Sequence, residues 1–98
     1  MPMKRPREQP VEAEPLWREQ VGEALRRTRQ ESGLRLVDVA GRAGVAPQYL
    51  SELERGMKDP SSELLAAVAG ALGLRVTDVA IRAIRTAARP SGPLCLAA

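Results

Sequence analysis

Histidine and phenylalanine are absent from this 98-residue chain, and cysteine, tryptophan and tyrosine occur once each. Without histidine there is no imidazole base, no Cys/His or Ser/His nucleophilic pair and no imidazole metal ligand. The single thiol, Cys95, cannot close an intramolecular disulfide, although it can pair with a second molecule under oxidation. No run of about 18 apolar residues occurs, so no membrane span is expected, and the N-terminus lacks the apolar segment of a secretory signal. A cytoplasmic chain without metal or cofactor is the expectation. Catalysis is not expected either, because carboxylates such as Glu52 and Glu54 have no histidine, metal cluster or phosphate-cradling glycine loop around them. With aromatics so scarce, the core must come from Leu, Val and Ala, and the strength of Ala and Leu as helix formers predicts an all-α fold.

What is present is a mild excess of positive charge, 15 Lys and Arg against 12 Asp and Glu, for a net +3 and an isoelectric point near 9.8. That bias suits a polyanionic partner without requiring one. Residues 1–15 mix Pro2, Pro6 and Pro10 with charges and cannot bury apolar area, so they read as a disordered leader. Within it, Lys4, Arg5 and Arg7 admit two readings: a basic arm touching DNA phosphate or a minor groove, or a solvated charge run. Residues 16–89 form the expected domain, and residues 90–98 a Pro/Gly-marked tail.

Five helices are predicted inside that domain. Pro15 at a first helical position opens a stripe of Leu16, Trp17, Val21, Ala24, Leu25 and Thr28, which Ser32-Gly33 ends as a left-handed cap. Arg26, Arg27 and Arg29 crowd its last turn and complement the helix dipole. Leu36, Val39, Ala40 and Ala43 make the second stripe, followed by Gly44 where a tight turn needs a positive φ. Arg35, at the N-cap position of that helix, cannot accept from its amides and leaves them to water or a phosphate, with Asp38 compensating in the first turn.

Pro47 occupies the first position of a third helix, so the second and third helices form a helix-turn-helix. Ala46, Leu50, Leu53 and Met57 recur at helical spacing and are expected to point inward. Gln48, Ser51, Glu52 and Arg55 form the opposite stripe, which serves either to read base edges or as an ordinary solvated face. After the loop 56–60, Ser61 or Ser62 caps a fourth helix through Leu64, Leu65, Val68, Ala69 and Leu72, ending at Gly73. The fifth, 75–89, sets Val76, Val79, Ala80, Ala83, Ile84 and Ala87 on one side and is closed by Pro90. Ile81, Ile84 and Ala88 carry apolar character round to a neighbouring face. Either this helix meets a partner helix from a second copy, or it merely caps the bundle.

Ala40, Gly44, the inward Leu50 and Leu53, and Glu54-Arg55-Gly56 resemble the helix-turn-helix of the Cro/CI-type repressor family. The resemblance extends from about Leu16 to Val79, through Pro60-Ser61 and Ala71-Leu72-Gly73-Leu74. Within it, Tyr49-Leu-Ser-Glu-Leu-Glu-Arg-Gly56, Lys58 and Ser61-Ser-Glu-Leu-Leu65 are similar to the regulators of Clp protease genes. The resemblance implies a compact lambda-repressor-like five-helix bundle that binds double-stranded DNA as a homodimer, on an imperfect palindrome, and controls transcription of Clp protease or related proteostasis genes.

By the same resemblance, Gln48 and Ser51 stand where relatives touch base edges, flanked by Pro47 and Glu52. Gln48 can pair with adenine, Ser51 with several bases, and Glu52 can accept from a cytosine amine. Tyr49, Arg55, Lys58, Arg35 and Ser61 are placed to hold phosphate, and Arg42 is either a further phosphate contact or a solvated surface arginine. Two positions depart from phage-type relatives: Leu36 replaces a phosphate-binding Gln, and Pro47 removes a polar base contact. In the family the residue equivalent to Glu54 pairs with an arginine of the first helix, here Arg29. Leu96-Ala97-Ala98 resembles the tags that Clp proteases recognise, which reads either as a degradation signal or as an arbitrary end of an Ala-rich chain. The alternative to a regulator is an interaction module of antitoxin type on the same fold.

Overall fold

The computed structural model describes residues 16–88, and among these it contains five helices and no strand: α1 (Trp17–Glu31), α2 (Leu36–Ala43), α3 (Pro47–Glu54), α4 (Ser62–Ala71) and α5 (Val76–Ala88). The expectations placed on Lys4, Arg5, Arg7, Pro15, Pro90, Cys95 and Leu96-Ala97-Ala98 lie outside the described residues, as do those on the side chains of Ala87 and Ala88.

Helix α1 is central. It packs against α5 and α3, while α2 packs against α3 and α4, and α4 also meets α5. The buried core is wholly aliphatic: Val21, Ala24 and Leu25 from α1, Val39 and Ala40 from α2, Leu50 and Leu53 from α3, Val68 and Ala69 from α4, Val79 and Ala83 from α5. Thr28 is the buried polar exception on α1. Its hydroxyl donates to Ala24 O at 2.8 Å and accepts from Arg82 Nη1 at 3.0 Å, so the group is satisfied while tying α5 to α1.

One device ends four of the helices. The N–H two or three residues past the helix end reaches back to a carbonyl five residues earlier: Leu34 to Arg29 (3.1 Å), Val45 to Ala40 (3.0 Å), Met57 to Glu52 (2.9 Å) and Leu74 to Ala69 (2.8 Å). At Gly44 the left-handed conformation, φ 75°, turns the chain from α2 into α3 within three residues. At the head of α4 the Ser61 hydroxyl accepts from Leu64 N at 3.1 Å, so Ser61 rather than Ser62 is the cap.

Several expectations are corrected. Helix α1 begins at Trp17, after the first residue of the expected stripe, with Leu16 as an N-cap whose N–H donates to Glu19 Oε1 at 3.0 Å. Leu16 and Trp17 are exposed, although they continue the stripe of Val21 and Leu25: the first turn of α1 meets the loop at Gly56 through Arg18 and Glu19. Ala46 is the exposed N-cap of α3, and Met57 lies beyond its end, on the far side of Gly56 with φ 78°; neither reaches the core. Helical spacing holds only while the backbone is helical, and the left-handed residue rotates everything after it out of phase. Val76 and Ile84 of α5 are exposed along with Ile81, since α1 covers only the Val79 and Ala83 stripe.

Candidate nucleic-acid interface

Helix α3 is only eight residues long, and its placement depends on what lies under it. Leu50 and Leu53 are fully buried, which turns Gln48, Ser51, Glu52 and Arg55 outward. Gln48 and Arg55 are exposed, Ser51 and Glu52 half-buried. Pro47 fills the first helical position, where a missing N–H leaves nothing unpaired, and no side chain caps the remaining first-turn amides.

The underside of α3 is clamped to α1. Arg29 Nε donates to Glu54 Oε2 at 2.7 Å and Nη2 to Glu54 Oε1 at 2.9 Å, a two-pronged pair. The third arm, Nη1, donates to Leu34 O at 3.1 Å, so one guanidinium joins α1, the loop after it and the end of α3. The hydrogen bond to Glu54 raises the Arg29 pKa above that of an ordinary guanidinium, against the opposing effect of burial. Glu54 is buried and cannot face a nucleic acid.

Two glycines set the distance. A Cβ on Gly22 of α1 would lie 2.4 Å from Leu53 O and 2.7 Å from Glu54 O, so the helix backbones approach closely only because that position has no side chain. A Cβ on Gly56 would lie 2.9 Å from Glu19 Cα. Arg18 completes the seam: its Nε donates to Gly56 O at 3.1 Å and its Nη1 lies 3.7 Å from Asp59 Oδ2, holding the loop that carries Lys58. Sequence reasoning missed Arg18, Glu19 and Gly22. An isolated glycine inside a helical pattern, costing about 1 kcal/mol against alanine, is the signal that could have exposed Gly22; nothing comparable marks Arg18.

An open cleft of about 800 Å³ runs between α1 and α3, with Arg26, Arg29, Leu36, Ser51, Glu54 and Arg55 among its walls. Arg55 and Arg26 bring positive charge to it and Glu19 and Glu23 negative charge, with Arg26 Nη1 3.8 Å from Glu23 Oε1. Leu36 is a partly buried wall residue packed against the core. Tyr49 also packs partly against the core, leaving its hydroxyl end as the polar part.

The remaining phosphate candidates are scattered. Arg35 holds Asp38 through Nε (2.9 Å) and Nη2 (3.2 Å) at the head of α2. Its guanidinium, with a lesser contribution from Arg42, keeps the Asp38 carboxyl below its ordinary 3.8. Arg42 Nη1 donates to Ala71 O at 3.3 Å, which seats it in a groove formed with α4 and not in the cleft carrying Ser51 and Arg55. Lys58 Nζ lies 3.7 Å from Glu52 Oε1. The Ser61 oxygen is taken up by the cap of α4, but its own hydrogen remains available to donate.

Comparison with known proteins agrees with this geometry. A helix-turn-helix family model matches residues 25–79. The HTH-type transcriptional regulator DdrOP3 of Deinococcus deserti is 51% identical over 57 residues, 58% of this chain and 44% of that protein. The transcriptional regulator ClgR of Mycobacterium tuberculosis is 49% identical over 74 residues, 76% of this chain and 66% of that protein. The matched stretch thus spans less than two thirds of either curated relative. The crystal structure of the clp gene regulator ClgR from Corynebacterium glutamicum superimposes with a TM-score of 0.74 at 53% identity, covering 76% of this chain and 80% of that one. A chain with this bundle, this turn at Gly44 and this match over more than half its length belongs to the helix-turn-helix family, as a Cro/CI-type member.

Proposed function

We propose that this chain is a sequence-specific DNA-binding transcriptional regulator whose targets are Clp protease genes or related proteostasis genes. The observation that carries the reading is the division of α3 into an inner half locked onto α1 through Leu53, Glu54 and Gly22 and an outer face of short polar groups, Gln48 and Ser51, beside Arg55. A rigidly seated helix with an open polar face suits a major groove, where base edges are read while arginine and lysine hold phosphate. The target genes rest on the likeness to two proteins named ClgR.

A second copy is part of the reading. Ile81 and Ile84 of α5 are 48% and 58% exposed, next to a half-covered Val76, and an apolar helix face of that kind is covered by its own twin in a two-fold dimer. Two copies of α3 would then meet successive major grooves about one turn, roughly 34 Å, apart on an imperfect palindrome.

The test is chromatin mapping of bound sites followed by fluorescence anisotropy on the recovered sequence. Enrichment upstream of protease genes, with affinity falling steeply as salt rises, is the expected result. Sites without a shared motif, or an isotherm indifferent to salt, would overturn the reading. Gln48→Ala combined with Ser51→Ala should abolish the preference for the recovered site while leaving the melting temperature unchanged. Ile84→Asp should shift sedimentation toward the monomer.

A further inference from the structure

Three of the outward residues of α3 and its following loop are connected to one another. Gln48 Nε2 donates to Glu52 Oε2 at 3.3 Å, one helical turn on, and Lys58 Nζ lies 3.7 Å from the other oxygen, Glu52 Oε1. A single carboxylate therefore faces an amide with one oxygen and an ammonium with the other. Lys58 reaches it because the left-handed Gly56 folds the loop back over the end of α3.

The chemistry of the three groups makes this more than a surface contact. A glutamine amide is close to symmetric in shape, and turning it end for end exchanges donor and acceptor with little steric consequence. An ionised carboxylate only accepts, so beside Glu52 the amino end of Gln48 must face inward along the helix. One of the two Nε2 hydrogens is thereby committed. What remains for a base is an edge with one acceptor, Oε1, and one hydrogen. Adenine presents the matching pair in the major groove, an N6 donor beside the N7 acceptor. Guanine presents two acceptors, N7 and O6, which an amide can satisfy only by giving both hydrogens.

We infer that Glu52 is a positioning residue: it orients the Gln48 amide so that Gln48 reads adenine and refuses guanine, while Lys58 holds the carboxylate in place. This inference rests on the DNA-binding reading above and departs from a direct contact between Glu52 and a cytosine amine. Lys58 has a second consequence, since an unpaired carboxylate on a face turned to phosphates would repel them. The ammonium offsets that charge at the one place where the orienting group has to stand.

The experiment is binding-site selection from a random double-stranded DNA pool, run with the full chain as wild type, Glu52→Ala, Glu52→Gln and Gln48→Ala. Wild type is expected to enrich a motif with adenine at one pair of two-fold-related positions. Both Glu52 variants should accept guanine at that pair alone, the adenine-to-guanine ratio falling about tenfold, as the loss of one bidentate preference implies. Glu52→Gln keeps the shape of the side chain but can donate as well as accept, so it separates orientation from folding. Gln48→Ala should erase the preference at the same pair. The inference falls if the Glu52 variants keep adenine, if they lose a cytosine position instead, or if they and Gln48→Ala act at different positions. A wild-type pool that enriches no motif overturns the DNA-binding reading, and the inference with it.

Discussion

Two arginine-carboxylate pairs flank the helix-turn-helix, and their geometry is nearly the same. Arg29 grips Glu54 at 2.7 and 2.9 Å, and Arg35 grips Asp38 at 2.9 and 3.2 Å. Their surroundings differ. The side chains of Arg29 and Glu54 are 15% and 5% exposed, those of Arg35 and Asp38 76% and 41%. The first pair joins residues 25 apart in the chain, the second residues on one helical turn. Water solvates Arg35 and Asp38 whether or not they touch, so breaking them leaves two hydrated ions. Breaking Arg29 from Glu54 leaves a mostly buried charge under α3 without its partner. Contact distance alone therefore says little about weight; burial and sequence separation decide it.

The comparison can be broken most directly at Glu54. Glu54→Ala is expected to cost about 3 to 5 kcal/mol, because Arg29 is stranded. For a domain of this size that lowers the melting temperature on the order of 20 °C, measured by circular dichroism. A protein that melts like wild type would show the pair to be no weightier than its exposed counterpart. Next comes Arg29→Lys, which keeps the charge but replaces a planar fork by a point, losing one contact to Glu54 or the one to Leu34. A loss of about 1.5 to 3 kcal/mol in chemical denaturation is expected.

Gly22→Ala probes the same seam without touching charge. Its Cβ meets carbonyl oxygens of α3 rather than flexible side-chain ends, so α1 and α3 must separate, at a cost of about 1 to 3 kcal/mol. The smallest effect is expected at the exposed pair. Asp38→Asn should leave the melting temperature unchanged within error. The sign of its pH dependence follows from the lowered folded pKa: whatever stability the pair adds is present above the ordinary value of 3.8 and is lost as pH falls through the lowered one. An NMR titration of the Asp38 carboxyl should therefore find its midpoint below 3.8, and Arg35→Ala should return it toward that value.

The same contrast explains how much could be read in advance. The order of five helices was legible because apolar spacing and glycine stops are local signals, and Leu25, Leu50, Leu53, Val68 and Val79 fall in the core where their period puts them. Ala46 and Met57 misled because the same period was extended across the cap of α3 and across a left-handed glycine. Leu16 and Trp17 misled because a stripe says which way a residue points, not whether a neighbour extends far enough to cover it. Of the site, the outward set of α3 follows from Leu50 and Leu53 pointing in. The joining of Gln48, Glu52 and Lys58 does not, since it depends on where the loop returns after Gly56. Arg18 shows the same difficulty: its partner is a backbone carbonyl 38 residues away, and a carbonyl carries no sequence signature.

The triple grip of Arg29 has a consequence for motion. Because one planar group fastens the last turn of α1, the loop at Leu34 and the last turn of α3, opening any one of them breaks at least one of its hydrogen bonds. Fraying, the ordinary fate of a two-turn helix, is thus opposed at the C-terminal end of α3. Amide hydrogens at Leu53 and Glu54 are expected to exchange only when the whole bundle opens, in step with Leu25 and Val39, whereas those at Gln48 and Tyr49 exchange quickly. The Gln48 and Tyr49 amides exchange fast for a different reason, having no acceptor in the uncapped first turn, so two rates fall on a segment of eight residues.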